Sequence, residues 1–157
     1  MNETVVDVPI ASMQKRVTSF VIDDLVIALF ILFIFYGQLM EIASHFPTVI
    51  TKESMEAFQM EMKLFSVNNL AIIILLKVLY HTFFVWQNGM TLGKYLMKIR
   101  VIELKSMETP TLLKSFIRAS LRIVSELFFY LGFLLASFLP LRQTLHDKLS
   151  DCVVIDV

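Results

Sequence analysis

The feature that most constrains the fold is the first long apolar stretch, residues 16–36, because it contains Arg16, Asp23 and Asp24. An Asp or Arg at the centre of a membrane-spanning helix costs about 2.5–3.5 kcal/mol, so such charges are usually paired inside a bundle or used for function. On a helix, Arg16 and Asp23 share a face but lie about 10 Å apart along the axis, too far for an ordinary direct ion pair. We therefore expect the two aspartates to find cations on another segment.

The composition is that of a membrane protein. Hydrophobic residues make up 57% of the 157 residues, and this length fits one domain, residues 1–157. The formal net charge is zero and no long basic run is present, which argues against nucleic acid as a partner. The single Cys152 excludes an internal disulfide, and the sequence suggests no metal site, no cofactor and no catalytic set of an enzyme.

Two stretches, residues 17–40 and 67–86, reach the length of about 20 residues that a bilayer requires. The polar connector between them, residues 41–66, is predicted to be a solvated loop or a surface helix. Lys77 interrupts the middle of the second stretch and should face protein and find a carboxylate, and extension toward Trp86 would bring it to the level of Asp24. An ion pair between helices, without any role in transport, explains the same pattern.

The most basic stretch, residues 87–114, follows the second span and is predicted to be cytoplasmic by the positive-inside rule. The N-terminus, which carries Lys15 and Arg16, then lies on the same side. Two β-prone segments, residues 99–104 and 152–157, are expected to pair as a small cytoplasmic two-stranded ladder.

Residues 111–126 read as an amphipathic helix with Lys114, Arg118 and Arg122 in a stripe at four-residue spacing. A cationic face opposite an apolar one favours a helix in the lipid interface, with the arginines on anionic head groups. Arg118 and Arg122 are also the best alternative partners for Asp23 and Asp24.

The third hydrophobic segment, residues 127–139, covers only about 20 Å as a helix and is short for a span. We expect a re-entrant broken hairpin around residues 130–132 with both ends cytoplasmic, and a third complete span starting near Arg118 is the alternative. The predicted fold class is an all-α membrane protein with two full transmembrane helices, this third segment and the small β element.

Three sets of motifs occur in order along the chain. They are Arg16 with Asp23-Asp24, then Gly89-Met90-Thr91-Leu92-Gly93-Lys94 followed by Ile99-Arg100-Val101, then Leu145-His146-Asp147 followed by Val153-Val154. Together they resemble the RDD family of small bacterial membrane proteins, named for one Arg and two Asp, over about residues 16–155. One departure is Ser150-Asp151-Cys152, which stands where such proteins tend to show a small Ala-Gly-Thr turn.

The matched residues also have physical interpretations of their own. Gly89 and Gly93 can release the backbone at a helix end, Thr91 can cap the next turn, and Lys94 would place a cation at the membrane boundary. The glycine motif lacks the first Gly and the Ser/Thr of a phosphate-binding loop. His146 and Asp147 are either a proton-handling pair or, as we expect, residues that fasten the tail to the basic loop.

The resemblance implies an integral protein of the bacterial inner membrane, with transport suggested for the family and sodium/proton exchange proposed for some members. We expect a transport-associated protein in which Arg16, Asp23, Asp24 and Lys77 form an intramembrane charge network that binds a sodium ion or a proton. Two or three spans are too few to enclose a pathway, so such a protein would form a homo-oligomer or join a larger membrane protein. The alternative is a non-transporting assembly protein whose charges lock helices together or dock a partner in the bilayer.

Overall fold

The computed structural model describes residues 9–127 and 141–157. The elements of this part of the chain, numbered here in order, are α1 (Met13–Ile34), α2 (Tyr36–Ser44), α3 (Lys52–Asn68), α4 (Leu70–Asn88), α5 (Leu92–Leu96), β1 (Ile99–Glu103), α6 (Leu112–Leu127), α7 (Leu145–Leu149) and β2 (Cys152–Asp156). The predicted broken hairpin around residues 130–132, and with it nearly all of the third hydrophobic segment, lies outside the described residues.

Two helices, α1 and α4, are long and apolar enough to cross a membrane, which confirms the two candidate spans. Only 17% of the most apolar window of α1 and 22% of that of α4 is buried within the protein. A core helix of a soluble protein would be mostly buried, whereas these helices expose large side chains such as Phe33 at 82%. Such an apolar surface is typical of contact with lipid.

The bounds of the first span differ from the prediction. The helix begins at Met13 and ends at Ile34, and residues 36–44 form the separate helix α2. The break lies at Phe35, whose backbone leaves helical geometry (φ −104°, ψ 21°) and whose ring packs edge-to-face against Phe65 at 5.5 Å between centroids. The predicted span of about residues 17–40 therefore covers most of α1 and the first part of α2, because hydropathy does not register a local change of backbone angle.

The chain divides into two compact units, residues 25–76 and the two stretches Met1–Asp24 and Lys77–Val157. In the first unit most of the polar connector is helical. Thr51 begins α3 by accepting a hydrogen bond at 3.2 Å from the backbone N–H of Ser54, whose hydroxyl in turn accepts from the Thr51 N–H. This reciprocal cap explains why a weakly patterned sequence forms a 17-residue helix.

The second unit is built around the predicted β ladder. Strands β1 and β2 pair antiparallel, with Ile99 opposite Asp156 and Glu103 opposite Cys152, which confirms the pairing. The segment before α1 lies along β2, since the Ala11 N–H donates to the Val154 carbonyl at 3.0 Å. The ladder buries a small apolar core, which consists of Ala11, Val85, Ile99, Val101, Cys152 and Val154.

Helix α6 confirms the amphipathic helix but reverses its predicted orientation. The side chains of Arg118 and Arg122 are 7% and 6% exposed, whereas Leu113 and Phe116 are 68% and 51% exposed. The expected contact of the arginines with lipid head groups is therefore wrong. Their charges face carboxylates inside the unit, which leaves the apolar face of α6 outward.

Asp151 occupies the turn between α7 and β2 with φ 52°, in the left-handed region that favours glycine. In the Ala-Gly-Thr turn expected from the resemblance, Gly would stand at position 151. Asp151 adopts the left-handed backbone conformation that this Gly would favour. Asp tolerates this region better than most residues, because its short side chain forms local hydrogen bonds.

Candidate functional site

Asp23 is fully buried at 0% exposure, and its carboxylate is held by donors from α4 and α5. Oδ1 accepts from the Tyr80 hydroxyl at 2.8 Å and from the Gly93 N–H at 2.9 Å, and Oδ2 accepts from the Thr91 hydroxyl at 2.6 Å. The Lys94 ammonium lies 3.6 Å from Oδ2. Three hydrogen bonds and a cation replace the water that a buried carboxylate loses.

The glycine motif creates this cradle. Gly89 ends α4 with φ 69°, a left-handed conformation that turns the chain back toward α1. At Gly93 an added Cβ would collide with the Ser19 carbonyl and lie 3.0 Å from the Asp23 carboxyl, so only glycine lets α5 approach α1 this closely. The expectation that Gly93 releases the backbone at a helix end was therefore wrong, because its role is close approach.

Thr91 stands at the predicted N-cap of α5, but its hydroxyl makes no capping bond. The hydroxyl donates to the Asp23 carboxylate at 2.6 Å and accepts from the Lys94 ammonium at 3.3 Å. Lys94, predicted to lie at the membrane boundary, is also buried, at 6% exposure. Burial lowers the pKa of Lys94 to about 7, against the opposing attraction of Asp23.

A second carboxylate, Asp147 on α7, joins three elements. It binds Nη2 of Arg16 on α1, and its Oδ1 accepts from Nε and Nη2 of Arg118 on α6 at 2.9 and 2.6 Å. Its Oδ2 also accepts from the Thr144 N–H at 3.2 Å. Although burial acts to raise it, the pKa of Asp147 lies well below its ordinary value because Arg118 and Arg16 favour the charged carboxylate.

This contact corrects two expectations. Asp147 was expected to fasten the tail to the basic loop 87–114, but it binds α1 and α6. Arg118 was expected as an alternative partner of Asp23 or Asp24, and it pairs with Asp147. His146 is buried beside it, with Nε2 at 2.9 Å from the Thr144 hydroxyl, and burial lowers its pKa well below the ordinary value.

Asp24 belongs to a separate cluster, in which two cations are each shared between two carboxylates. Lys77 Nζ lies 3.7 Å and Arg122 Nη2 lies 3.6 Å from Asp24 Oδ1. Both cations also contact Glu126, at 2.7 Å from Lys77 Nζ and 3.3 Å from Arg122 Nε. The proximity of Lys77 to Asp24 agrees with the predicted position of that lysine, and Arg122 is near Asp24 as anticipated.

The environments of the two neighbouring aspartates therefore differ. Asp24 has a side chain that is 29% exposed, and its buried Oδ1 accepts no hydrogen bond from any described residue. His81 lies at the edge of the same cluster, with Nδ1 3.4 Å from Arg122 Nη1. The guanidinium of Arg122 also stacks 4.2 Å above the centroid of the Phe20 ring.

The structure brings most of the sequence-predicted residues together and leaves one outside. Arg100 lies on β1 opposite Ile155, with its side chain against Gly89, and it contacts neither aspartate. Tyr80 and Glu126 were missed as site residues. Tyr80 carries a signal in retrospect, because it lies three residues after Lys77 and so presents a hydroxyl on nearly the same helix face.

In the described part of the chain, no group of three or more His, Cys, Asp and Glu side chains is arranged to hold a metal ion. The two buried carboxylates instead have organic cations as their charge partners.

Comparison with known proteins gives one match. The model of the RDD family matches residues 10–151, nearly the whole chain, and this range includes both buried aspartates and Asp24. No curated protein and no solved structure matches the chain.

Proposed function

Because the chain belongs to the RDD family of membrane-associated proteins, we propose that it is a component of cation or proton transport in the bacterial inner membrane, with Asp24 as the exchanging carboxylate. In this proposal α1 and α4 both cross the bilayer. The N-terminus and the basic residues 87–114 then lie in the cytoplasm, as the positive-inside rule favours.

The observation that supports this role is the unused capacity of Asp24. Its buried Oδ1 accepts no hydrogen bond within the described structure, and the side chain as a whole is 29% exposed, so a proton or ion can approach the carboxylate from its exposed part. Asp23, in contrast, is fully buried and already accepts three hydrogen bonds. An exchanging group must bind and release an ion repeatedly, and Asp24 has fewer hydrogen bonds to break than Asp23.

Lys77 supplies a means of exchange. Its ammonium lies between two carboxylates, 2.7 Å from Glu126 and 3.7 Å from Asp24. While Lys77 stays hydrogen-bonded to Glu126, as it is here, Asp24 accepts no hydrogen bond from it and can take up a proton or a sodium ion. When Lys77 moves to Asp24, its positive charge competes with the bound ion, which is released.

Two spanning helices cannot enclose a pathway, because transporters build their central sites between repeated bundles of helices. We therefore propose that the protein acts as a homo-oligomer or with a larger membrane partner. The exposed apolar surface of α1, which includes Leu29 at 65%, is available to lipid and to such a partner.

The test is ion flux in vesicles that contain the purified protein. We expect wild type to exchange sodium for protons and Asp24→Asn to lower the rate by about tenfold or more, since the neutral amide cannot take up a proton. Glu56→Gln is the matched control, because it removes an exposed carboxylate of α3 and should leave flux unchanged.

If Asp24→Asn retains full flux while the protein keeps its helical content, Asp24 is not the exchanging group. If folded wild type carries no flux alone but does so with a co-purified membrane protein, the transport role depends on that partner.

A second candidate function is assembly without transport, and the saturation of Asp23 and Asp147 favours it. Both carboxylates use their oxygens to join helices of one unit, as structural charges do. This role predicts that Asp24→Asn is silent, whereas Asp23→Asn lowers the amount of protein and of any complex on a native gel.

A further inference from the structure

A small cavity lies inside the unit that holds the three aspartates, and its lining is cationic. Its volume is about 20 Å³, which exceeds the 10–15 Å³ or so that one water requires. Four basic side chains line it, namely Arg16, Lys94, Arg118 and Arg122. Neither Asp23 nor Asp147 is among the lining residues, so the carboxylates that pair with these cations do not border the cavity.

The charges around the cavity do not balance. With Lys94 protonated, the cluster in the described part of the chain contains five cations, the four lining residues and Lys77, and four carboxylates, which are Asp23, Asp24, Glu126 and Asp147. Asp147 alone serves two arginines. An excess positive charge in a buried site is costly unless an anion compensates it.

Arg122 shows where compensation is lacking. It is 6% exposed and lines the cavity, yet its Nη2 has no hydrogen-bond acceptor among the described residues. Asp24 Oδ1 lies 3.6 Å from this nitrogen and is shared with Lys77, and Glu126 accepts from Nε of the same guanidinium at 3.3 Å. A buried guanidinium nitrogen without an acceptor is rare in folded proteins and indicates a missing partner.

We propose that this cavity binds one small monovalent anion of the size of chloride, held by Arg122 together with Arg16, Lys94 and Arg118. Such an ion is close to water in size, so it fits the volume, and it accepts hydrogen bonds from several directions. A water would also satisfy a donor, but it would leave the excess charge uncompensated. The site differs from the cation site proposed at Asp24, because Asp24 is not among its lining residues and because it takes an ion of the opposite charge.

The test is equilibrium dialysis of the purified, detergent-solubilised protein with radiolabelled chloride in a gluconate buffer at pH 6. This pH is below the pKa of about 7 of Lys94, so all four basic side chains are charged. We expect saturable binding of one chloride per chain. Arg122→Gln should weaken it by about tenfold or more, since it removes the charged donor.

Two further variants separate the site from general effects of charge and folding. Ser19→Val keeps every charge but adds methyl groups at the cavity wall, so it should also abolish binding. Lys114→Gln removes a cation of α6 that pairs with Glu103 and does not line the cavity, so it should leave binding unchanged. Absence of saturable binding in wild type, or equal binding in wild type and Ser19→Val, would overturn the proposal.

Discussion

At the scale of single residues, Asp23 and Asp24 show how one helix turn gives two identical side chains opposite environments. Neighbours on a helix point about 100° apart. Asp23 therefore enters the interior between α1 and α5, where it meets Tyr80 and Gly93, and Asp24 meets the more exposed Lys77. The first position favours a fixed charge and the second favours exchange.

Asp147→Asn should be the most destabilising single charge substitution in the site. It leaves Arg16 and Arg118 buried without their shared carboxylate, which costs about 3–5 kcal/mol. Thermal or urea unfolding of the protein in detergent measures this loss. Asp151→Asn is the control, because it removes an exposed carboxylate four residues away and Asn tolerates the same left-handed backbone.

The effect of Asp147→Asn should depend on pH in one direction. Because the pKa of Asp147 is lowered in the folded state from 3.8, the stability from its charge is complete above that value and is lost as pH falls through the folded pKa. We expect the difference between wild type and variant to be constant near neutral pH and to shrink in strong acid. A difference that grows as pH falls would contradict this assignment.

Lys94 should produce a trend of the same sign in a higher pH range. Burial lowers its pKa from 10.5 to about 7, so between these values the unfolded state binds more protons than the folded state. The free energy of unfolding should therefore rise with pH across this range, and the rise should be smaller in Lys94→Met. The control is Lys148→Met, which replaces an exposed lysine of α7 and should leave the dependence of the unfolding free energy on pH as in wild type.

At the scale of elements, the approach of α5 to α1 rests on the absence of one methyl group. Gly93→Ala would push a Cβ into the Ser19 carbonyl, and we expect a loss of about 1–3 kcal/mol of stability. Gly37→Ala is the matched control of opposite sign, since a Cβ there meets nothing within 4 Å and alanine favours helix α2 by about 1 kcal/mol. Unfolding curves of the two variants make the comparison.

The sequence predicts the elements of this unit better than their faces. Hydrophobic periodicity located α6, and β-branched runs located the ladder of β1 with β2. The same periodicity could not tell that the arginines of α6 face inward, because an amphipathic helix has one pattern whether its polar face meets water or buried carboxylates. Asp147 decides the matter, and it lies 29 residues after Arg118.

The site shows the same division between local and distant information. The position of Lys77 in its span placed it near the level of Asp24, whereas Arg122 was suggested only together with Arg118, as a partner of either aspartate. No periodicity relates Arg16 to Asp147, because that contact depends on the fold of the chain between them. The family motifs include these residues, but a motif shows only that residues recur in a family and does not show which of them are in contact.

At the scale of the whole molecule, the proposal that α1 and α4 both cross the membrane fixes which side each loop occupies. If α1 and α4 both span, Glu56→Cys should react with an impermeant thiol reagent from the periplasm and Lys105→Cys from the cytoplasm. Native Cys152 is 0% exposed and provides the unlabelled background. Labelling of both positions from the same side would show that α4, which lies between them in sequence, does not cross.

The contact between Arg16 and Asp147 has a consequence for how the protein is made, because 131 residues separate the two side chains in sequence. A ribosome adds about 5–20 residues per second, so Arg16 waits for its carboxylate for roughly ten seconds after it is synthesised. During that interval both apolar helices have already emerged. Insertion must therefore tolerate an unpaired arginine, and the arrival of α7 marks the moment when the nascent chain can become resistant to membrane proteases.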